Sequence, residues 1–107
     1  MAEYLVEPKN ILRAPVQPGI IFAEEIMPGL RERRSVGEIA SLLGVSRATL
    51  HRLMAGDIAM SPEMAVRIGK LVGNGAGLWL RLQAKYDEWE VTRRLAKELK
   101  AIPTLGS

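Results

Sequence analysis

The sequence predicts an all-α protein of five helices, of which the last is the longest. Apolar residues recur at the three- and four-residue spacing that places them on one face of a helix. Serines stand where two of these patterns begin and glycines stand where they end, as expected for helix caps. No strand pattern of any length competes with the helices.

The length and composition fit one compact domain. The chain has 107 residues, of which 48% are apolar and 25% are charged, a balance typical of globular proteins. No apolar run approaches the length of about 18 residues that a transmembrane helix needs. Residues 1–10 contain no apolar core of the kind found in signal peptides. We therefore expect a cytoplasmic protein that does not bind a membrane.

The rare residue types argue against a catalytic or metal site. The absence of cysteine excludes disulfides, thiolate metal sites and cysteine nucleophiles. His51 is the single histidine, so neither a multi-histidine metal site nor a catalytic triad is expected. We expect no metal, no cofactor and no enzymatic activity. The net charge of +3 permits binding to nucleic acid without proving it.

Residues 1–18 are predicted to form an N-terminal arm, and residues 19–107 to form the folded domain. Pro8, Pro15 and Pro18 fix their own φ and push the preceding residues toward extended geometry, so no helix is expected in the arm. The arm is either a loosely held tail or a segment whose basic residues touch a phosphate or a partner.

The first two helices are predicted from apolar spacing. The first begins at Gly19, and Pro28-Gly29 should end or kink it. The second is short, begins near Val36 and breaks at Gly44.

The remaining helices have clearer boundaries. Ser46 has the chemistry of an N-cap for the third helix, which is expected to stop at Ala55-Gly56. Ser61-Pro62-Glu63 predicts the start of the fourth helix with a capping hydroxyl, a proline at the first helical position and an acid in the first turn. The last helix is predicted from about residue 78 to residue 100, after a glycine-rich break.

Residues 36–55, with the sequence VGEIASLLGVSRATLHRLMA, have the pattern of a helix-turn-helix. The motif needs a small residue where its helices cross, and Ala40 supplies it. It also needs a glycine that can adopt a left-handed turn, and Gly44 supplies that. Apolar anchors stand on both sides of the turn. In such a motif the second helix enters the major groove of DNA.

The face of the third helix that points away from the core is predicted to bind DNA. Because successive helical residues rotate by about 100°, Leu50 and Leu53 point inward while the opposite side carries basic and small side chains. Arginine can bridge O6 and N7 of guanine, an alanine methyl can contact a thymine methyl, and hydroxyl groups suit phosphates. The predicted DNA-binding residues are Ser46, Arg47, Ala48, Thr49, His51, Arg52, Arg34 and Ser35.

Alternatives remain open for this segment. It could be an ordinary helical hairpin with a solvated basic face, and His51 could be a solvent-facing residue instead of a DNA contact. Between Arg31 and Met54, however, five arginines stand against two acids, which favours DNA. Arg67, on the fourth helix, is expected to matter far less for DNA binding.

The last helix carries apolar residues on two faces. The first face, with Leu78, Leu82, Tyr86 and Trp89, is predicted to cover the core of the domain. The second face would stay in contact with water unless a partner buried it, so we predict that it forms a homodimer. In the alternative, both faces serve one core. The predicted dimerisation residues are Leu80, Ala84, Val91, Leu95 and Ile102.

Over about residues 18–90 the chain resembles the HigA/VapI branch of the Cro/repressor-type (Xre) regulators. The resemblance rests on four segments, PGIIFAEEIMPGL, IASLLGVSRATLHRLMAG, SPEMAVRIGKLVG and GLWLRLQAKYDEWE. It implies a five-helix Cro/repressor-like DNA-binding fold, a dimer, and a double-stranded DNA operator. It also implies an antitoxin that represses its own operon and neutralises a HigB-type toxin that cleaves RNA.

Two other functions remain possible. A stand-alone repressor of the same fold would lack the toxin partner, and the gene beside this one would separate the two cases. A protein-interaction module would instead use the basic surface for RNA or acidic proteins, and strong sequence-specific binding to duplex DNA would exclude it.

Overall fold

The computed structural model describes residues 14–106, and every regular element in that range is a helix. The predicted all-α fold is therefore confirmed. Helix α1 joins an α-helical turn, Pro18–Ile21, a π-helical turn, Phe22–Ile26, and a second α-helical turn, Met27–Leu30. The other helices are α2 (Val36–Leu43), α3 (Arg47–Ala55), α4 (Pro62–Val72), α5 (Ala76–Arg94) and α6 (Ala96–Leu99).

The N-terminal arm of the sequence prediction lies mostly outside the described residues. Residues 14–17 have no regular secondary structure, and α1 begins at Pro18, one residue before the predicted start. None of the helices between residues 14 and 106 combines the length and the apolar character needed to cross a membrane.

Three helices begin with a serine cap. In each case the serine hydroxyl accepts a hydrogen bond from the backbone N–H three residues later, at 3.0 to 3.1 Å. Such a bond satisfies one of the N–H groups that a helix leaves free at its start, and losing it costs about 1 kcal/mol. The three caps are Ser35 on α2, Ser46 on α3 and Ser61 on α4.

Pro28 does not end the first helix. Proline lacks an N–H, and its ring collides with the carbonyl four residues earlier in a regular α-helix. The turn before Pro28 is π-helical, and the N–H of Met27 donates to the carbonyl of Phe22 across this wider turn. Because the wider turn accommodates the proline, the helix continues to Leu30.

The core lies where α1 to α5 meet. The rings of Phe22 and Trp79 pack edge to face with their centroids 6.2 Å apart, which joins the first helix to the last long one. The buried apolar residues are Phe22, Met27, Ile39, Ala40, Leu43, Leu50, Leu53, Met60, Met64, Ala65, Ile68 and Trp79.

The start of α1 is attached to the end of α3. The side-chain amide of Gln17 donates to the backbone carbonyl of Gly56 at 2.9 Å. Gly19 lies so close to the carbonyl of Leu53 that a β-carbon at this position would overlap it. These contacts fix the C-terminal end of α3 against the rest of the domain.

The last long helix differs from its prediction in length and in orientation. Helix α5 ends at Arg94, and after Leu95 the four-residue helix α6 follows. Leu78, predicted to face the core, is 40% exposed, whereas Trp79 is 1% exposed. Gln83 is also buried, and its side-chain carbonyl accepts a hydrogen bond from the N–H of Met60 at 2.8 Å. The predicted core residues Leu82, Tyr86 and Trp89 are half-buried.

The wrong orientation has a physical reason. Apolar side chains lie on two faces of α5, so the spacing of its residues does not identify one inward side. Tertiary contacts decide instead: Trp79 packs on Phe22, and Gln83 satisfies a backbone N–H between α3 and α4. Because of these two contacts, the buried face of α5 contains Trp79 and Gln83 and not Leu78.

Candidate nucleic-acid interface

Helices α2 and α3 form the helix-turn-helix. Helix α2 ends at Gly44, which has a φ of 77°, in the left-handed region that glycine adopts without strain. The N–H of Val45 then donates to the carbonyl of Ala40 at 3.0 Å, so the chain turns tightly before Ser46 caps α3. The predicted turn at Gly44 and the predicted stop at Gly56 are both present.

A side chain of α4 braces this turn. One guanidinium nitrogen of Arg67 donates to the carbonyl of Leu43 at 2.9 Å, and another forms a salt bridge with Glu63 at 2.7 Å. The guanidinium also lies against Gly44, where a β-carbon would overlap it. The sequence predicts that Arg67 matters far less for DNA binding than the arginines of the third helix. In the structure, Arg67 contacts the helix-turn-helix directly.

Sequence reasoning missed this contact for a clear reason. Glu63 and Arg67 are four residues apart on a helix, so their pairing is visible in the sequence. The approach of α4 to the end of α2 is a tertiary contact across 24 residues, and no spacing rule predicts it.

Helix α3 has the orientation that the sequence predicts. Leu50 and Leu53 are fully buried, while Ala48, His51 and Arg52 are exposed. The exposed side of the helix carries no acidic residue. The role of these side chains in binding DNA stays a prediction.

The hydroxyl groups predicted to reach DNA also stabilise the start of α3. The Ser46 hydroxyl accepts the N–H of Thr49 at 3.0 Å and donates to the Thr49 hydroxyl at 2.9 Å. Ser46 is exposed and Thr49 is half-buried. If these hydroxyl groups contact a phosphate, they do so from positions that the hydrogen bonds of the cap already fix.

The structure brings Arg47 close to the start of α2. A β-carbon on Gly37 would lie 2.7 Å from a guanidinium nitrogen of Arg47, so the guanidinium lies over the first turn of α2. Ser35 caps that turn in a reciprocal pair with Glu38, with bonds of 2.8 and 3.1 Å. The first turns of both helices thus contribute to one surface.

The charge of this surface is positive. The loop before α2 exposes Arg31, Arg33 and Arg34, and α3 exposes Arg47 and Arg52. Of the two acids between residues 31 and 54, Glu38 is held by the cap of α2. Exposed arginines around a helix-turn-helix suit the phosphates of duplex DNA.

Comparison with known proteins identifies the family. Residues 29–77 match a family described as a helix-turn-helix domain. The HTH-type transcriptional regulator YbaQ of Escherichia coli (strain K12) is 34% identical over 100 residues, which cover 92% of this chain and 87% of YbaQ. Antitoxin HigA-1 of Vibrio cholerae is 30% identical over 93 residues, which cover 87% of this chain and 86% of that protein. The chain belongs to the HigA branch of the helix-turn-helix regulators.

A solved structure shows the same fold. The Pseudomonas aeruginosa antitoxin HigA, determined with the higBA promoter, is 26% identical to this HigA-type chain with a TM-score of 0.77. The alignment covers 86% of this chain and 99% of that one. The Cro/repressor-like fold expected from the resemblance is thus confirmed.

The predicted dimerisation residues lie away from the helix-turn-helix. Leu80 and Val91, on α5, are 39% and 36% exposed, and Ile102 is 64% exposed. Ala84 is exposed and Leu95 is half-buried at the break between α5 and α6. Their role in self-association stays a prediction.

Proposed function

We propose that this HigA-type chain is a dimeric, sequence-specific repressor that acts as the antitoxin of a HigB/HigA-type pair. The observation that carries the proposal is the acid-free, exposed face of α3 on a braced helix-turn-helix. A recognition helix in this arrangement places its exposed side chains in the major groove. In this proposal residues 19–107 bind DNA and form the dimer, whereas residues 1–18 are an arm.

Within this proposal the exposed side chains have separate tasks. Arg52 reads a guanine through two hydrogen bonds, Ala48 contacts a thymine methyl, and His51 contacts a base or phosphate near them. Arg47, which lies over the first turn of α2, contacts a phosphate. Ser35 and Arg34 bind the DNA strand that Arg47 contacts, at the start of α2, where the helix N-terminus favours an anion. Ser46 and Thr49 stabilise the start of α3.

Two-fold symmetry follows from the way such proteins read DNA. Dimers of helix-turn-helix proteins contact two half-sites about one helical turn apart. The exposed apolar residues of α5 supply a surface for the second copy, since they lie outside the core and outside the basic face.

The antitoxin part of the proposal is supported by the relatives. Antitoxin HigA-1 and the Pseudomonas aeruginosa antitoxin HigA both align over most of this chain. We infer a HigB-type toxin as the protein partner, a cytoplasmic location beside the operator, and no reaction catalysed by the chain itself. A stand-alone repressor is the competing function, because YbaQ is named only as a regulator.

Binding to DNA is tested with the promoter upstream of the gene. The protein is titrated against this duplex and a scrambled duplex of the same composition at several salt concentrations. We expect tighter binding to the promoter, with an affinity that falls linearly with salt on logarithmic axes because phosphate contacts release counterions. Equal affinity for both duplexes at every salt concentration would contradict the repressor.

The toxin partner is tested by coexpression with the small gene beside this one. We expect the wild type to restore growth and to co-purify with the toxin. Arg52→Ala should lose operator binding and keep the rescue, because the recognition helix is assigned to DNA. If the neighbouring gene encodes no toxin, or no complex co-purifies, the stand-alone repressor is the better description.

A further inference from the structure

His51 is the single histidine of the sequence, and it lies on α3, the proposed recognition helix. The residue is exposed, whereas Leu50 and Leu53 of the same helix are buried in the core. Imidazole is the side chain whose charge ordinarily changes between about pH 5 and pH 8. The chain therefore carries one such side chain, and the fold places it on the face assigned to DNA.

Two of the residues beside His51 on the exposed face of α3 are alanines. Ala48 lies about one turn before His51 and Ala55 about one turn after it, and both are exposed. A methyl group extends much less far from the helix than an imidazole ring. The ring of His51 therefore has room to approach a duplex that lies along this face.

The other polar side chains of the exposed face keep their charge over the same pH range. Arg47 precedes His51 by about one helical turn, and Arg52 follows it directly. A guanidinium stays protonated at any pH near neutrality, and the hydroxyl groups of Ser46 and Thr49 do not ionise there. A change of charge on this face near neutral pH is therefore a change at His51.

The acids of α1 lie behind α3 as seen from His51. Helix α1 packs on α3 around Leu53, where Gly19 approaches the Leu53 carbonyl. Residues two apart on a helix differ in direction by about 200°, so Leu53 and His51 point to roughly opposite sides. The ionisable residues of α1 are Glu24 and Glu25, and both are exposed. They do not share the face of His51.

The acids nearest to His51 along the chain are Glu38 and Asp57. The Glu38 carboxylate accepts the Ser35 N–H at 2.8 Å within the cap of α2, the other helix that packs on α3. Asp57 follows the glycine that ends α3. Residues 31–34, before α2, are three arginines and one glutamate. Counted with the two arginines of α3, cations outnumber acids in this set, so the negative charge that favours a protonated imidazole comes from the phosphates of bound DNA.

We propose that His51 takes up a proton when the chain binds its operator, so that operator affinity rises as the pH falls through the range in which imidazole titrates. The proposal concerns the regulation of the proposed DNA-binding face and rests on that function. A protonated imidazole donates two hydrogen bonds, whereas a neutral one donates one and accepts one. The acceptors within reach on DNA are phosphate oxygens and the N7 and O6 atoms of guanine. The protonated form therefore binds the duplex more tightly.

Proton linkage sets the direction of the effect. On the acid side of the imidazole range, His51 carries its proton in free and bound protein alike, and affinity is highest. As the pH rises through that range, binding must take a proton from solution, so affinity falls. It levels off where the imidazole is neutral in both states. The decline is at most about tenfold per pH unit for each protomer, which corresponds to one proton taken up.

The proposal is tested by titrating operator duplex between about pH 5.5 and pH 8.5, at constant ionic strength because salt alone changes the affinity. From about pH 8 to pH 6 we expect the affinity of the wild type to rise about tenfold. His51→Gln keeps hydrogen-bonding groups that do not titrate, so its affinity should not rise. His51→Arg is always charged and should keep one affinity at both pH values. Circular dichroism establishes that each variant is folded across the range.

His51→Gln/Val66→His is the matched control, because it moves the imidazole to an exposed position on α4. We expect it to bind with the same affinity at every pH. If it regains the dependence of the wild type, the net charge of the protein and not the position of His51 is responsible, and the proposal is overturned. It is also overturned if His51→Gln keeps the pH dependence.

The failure of the proposal and the failure of the proposed function give different results. A wild type that prefers its operator to a scrambled duplex, with an affinity that does not change with pH, overturns the proton uptake and leaves the repressor intact. A wild type with no preference at any pH overturns the repressor itself. Where the dependence is present, the same slope on both duplexes identifies a phosphate as the acceptor, and a slope confined to the operator identifies a base.

Calorimetry counts the protons directly. The heat of binding is measured near neutral pH in two buffers that differ in their enthalpy of ionisation. For the wild type we expect a difference that corresponds to the uptake of up to one proton per protomer, and for His51→Gln we expect none. Equal proton uptake by the two proteins would overturn the proposal.

Discussion

The Arg67 guanidinium donates a hydrogen bond of 2.9 Å to the backbone carbonyl of Leu43, the last residue of α2. A carbonyl at the end of a helix has no partner within the helix, and here a side chain from α4 supplies one. Glu63 holds the same guanidinium in place at 2.7 Å. The turn of the helix-turn-helix is thereby fixed by an arginine that lies outside the motif, on α4.

Replacing Arg67 with alanine should weaken operator binding without unfolding the protein. We expect a loss of about 1 kcal/mol in stability from the hydrogen bond, and a loss of about 1 kcal/mol in operator affinity because α2 and α3 are less firmly held. Thermal unfolding and titration with operator DNA measure the two effects.

Arg81→Ala is the matched control for Arg67→Ala. It removes the same charge from an exposed position on α5. If both variants lose the same affinity at low salt and neither loses it at high salt, then Arg67 acts only through its charge and not by bracing the turn.

Alanine at Gly44 should be more costly than alanine at Gly73. Both glycines have positive φ, 77° and 91°, so each substitution incurs about 1 to 2 kcal/mol of backbone strain. A β-carbon at Gly44 also overlaps Arg67, whereas nothing lies within 4 Å of one at Gly73. Denaturant unfolding of both variants gives the difference. Combining Gly44→Ala with Arg67→Ala should recover part of the extra loss, and strictly additive effects would argue against the overlap.

Arg52→Ala should reduce operator affinity by about 1 to 3 kcal/mol and relax the preference at one base pair. Arg47→Ala should weaken binding to all duplexes alike and reduce the salt dependence, because its guanidinium lies over the first turn of α2, where we propose that it contacts a phosphate. Titrations with single-base operator variants separate the two patterns. If both arginines can be removed without effect, α3 is not the recognition helix.

Gln83→Leu should destabilise the domain by about 1 to 3 kcal/mol, because it leaves the buried N–H of Met60 without an acceptor. Asp87→Ala removes the other partner of Gln83, at 2.8 Å, but Asp87 is exposed and water can replace it. Its effect should stay below about 1 kcal/mol. If chemical denaturation shows equal losses of stability in the two variants, the hydrogen bond between Gln83 and Met60 contributes no more to stability than the one between Gln83 and Asp87.

The helix-turn-helix was the most predictable part of the fold because its signals are local. Ser35 and Ser46 cap their helices within four residues, and Gly44 ends α2 by its own backbone geometry. Leu50 and Leu53 then fix which side of α3 is buried. Each of these features depends on residues close in sequence, so spacing alone identifies them.

The parts that the sequence did not predict depend on distant contacts. The inward side of α5 is set by Trp79 on Phe22 and by Gln83 on Met60. Its end at Arg94 coincides with no glycine or proline. For the candidate site, the face of α3 was predictable, but the brace from Arg67 was not, because it requires the relative placement of two helices.

The hydrogen bond from Gln17 to Gly56 closes a segment of 39 residues that contains α1, α2 and α3. Opening α1 or α3 must release that closure or the packing of Gly19 on Leu53. We therefore expect their amide protons to exchange with solvent as one cooperative unit, with a common opening free energy. Residues beyond Leu95 are largely exposed and should exchange through independent fraying. The helix that we propose to read DNA should therefore open only together with α1.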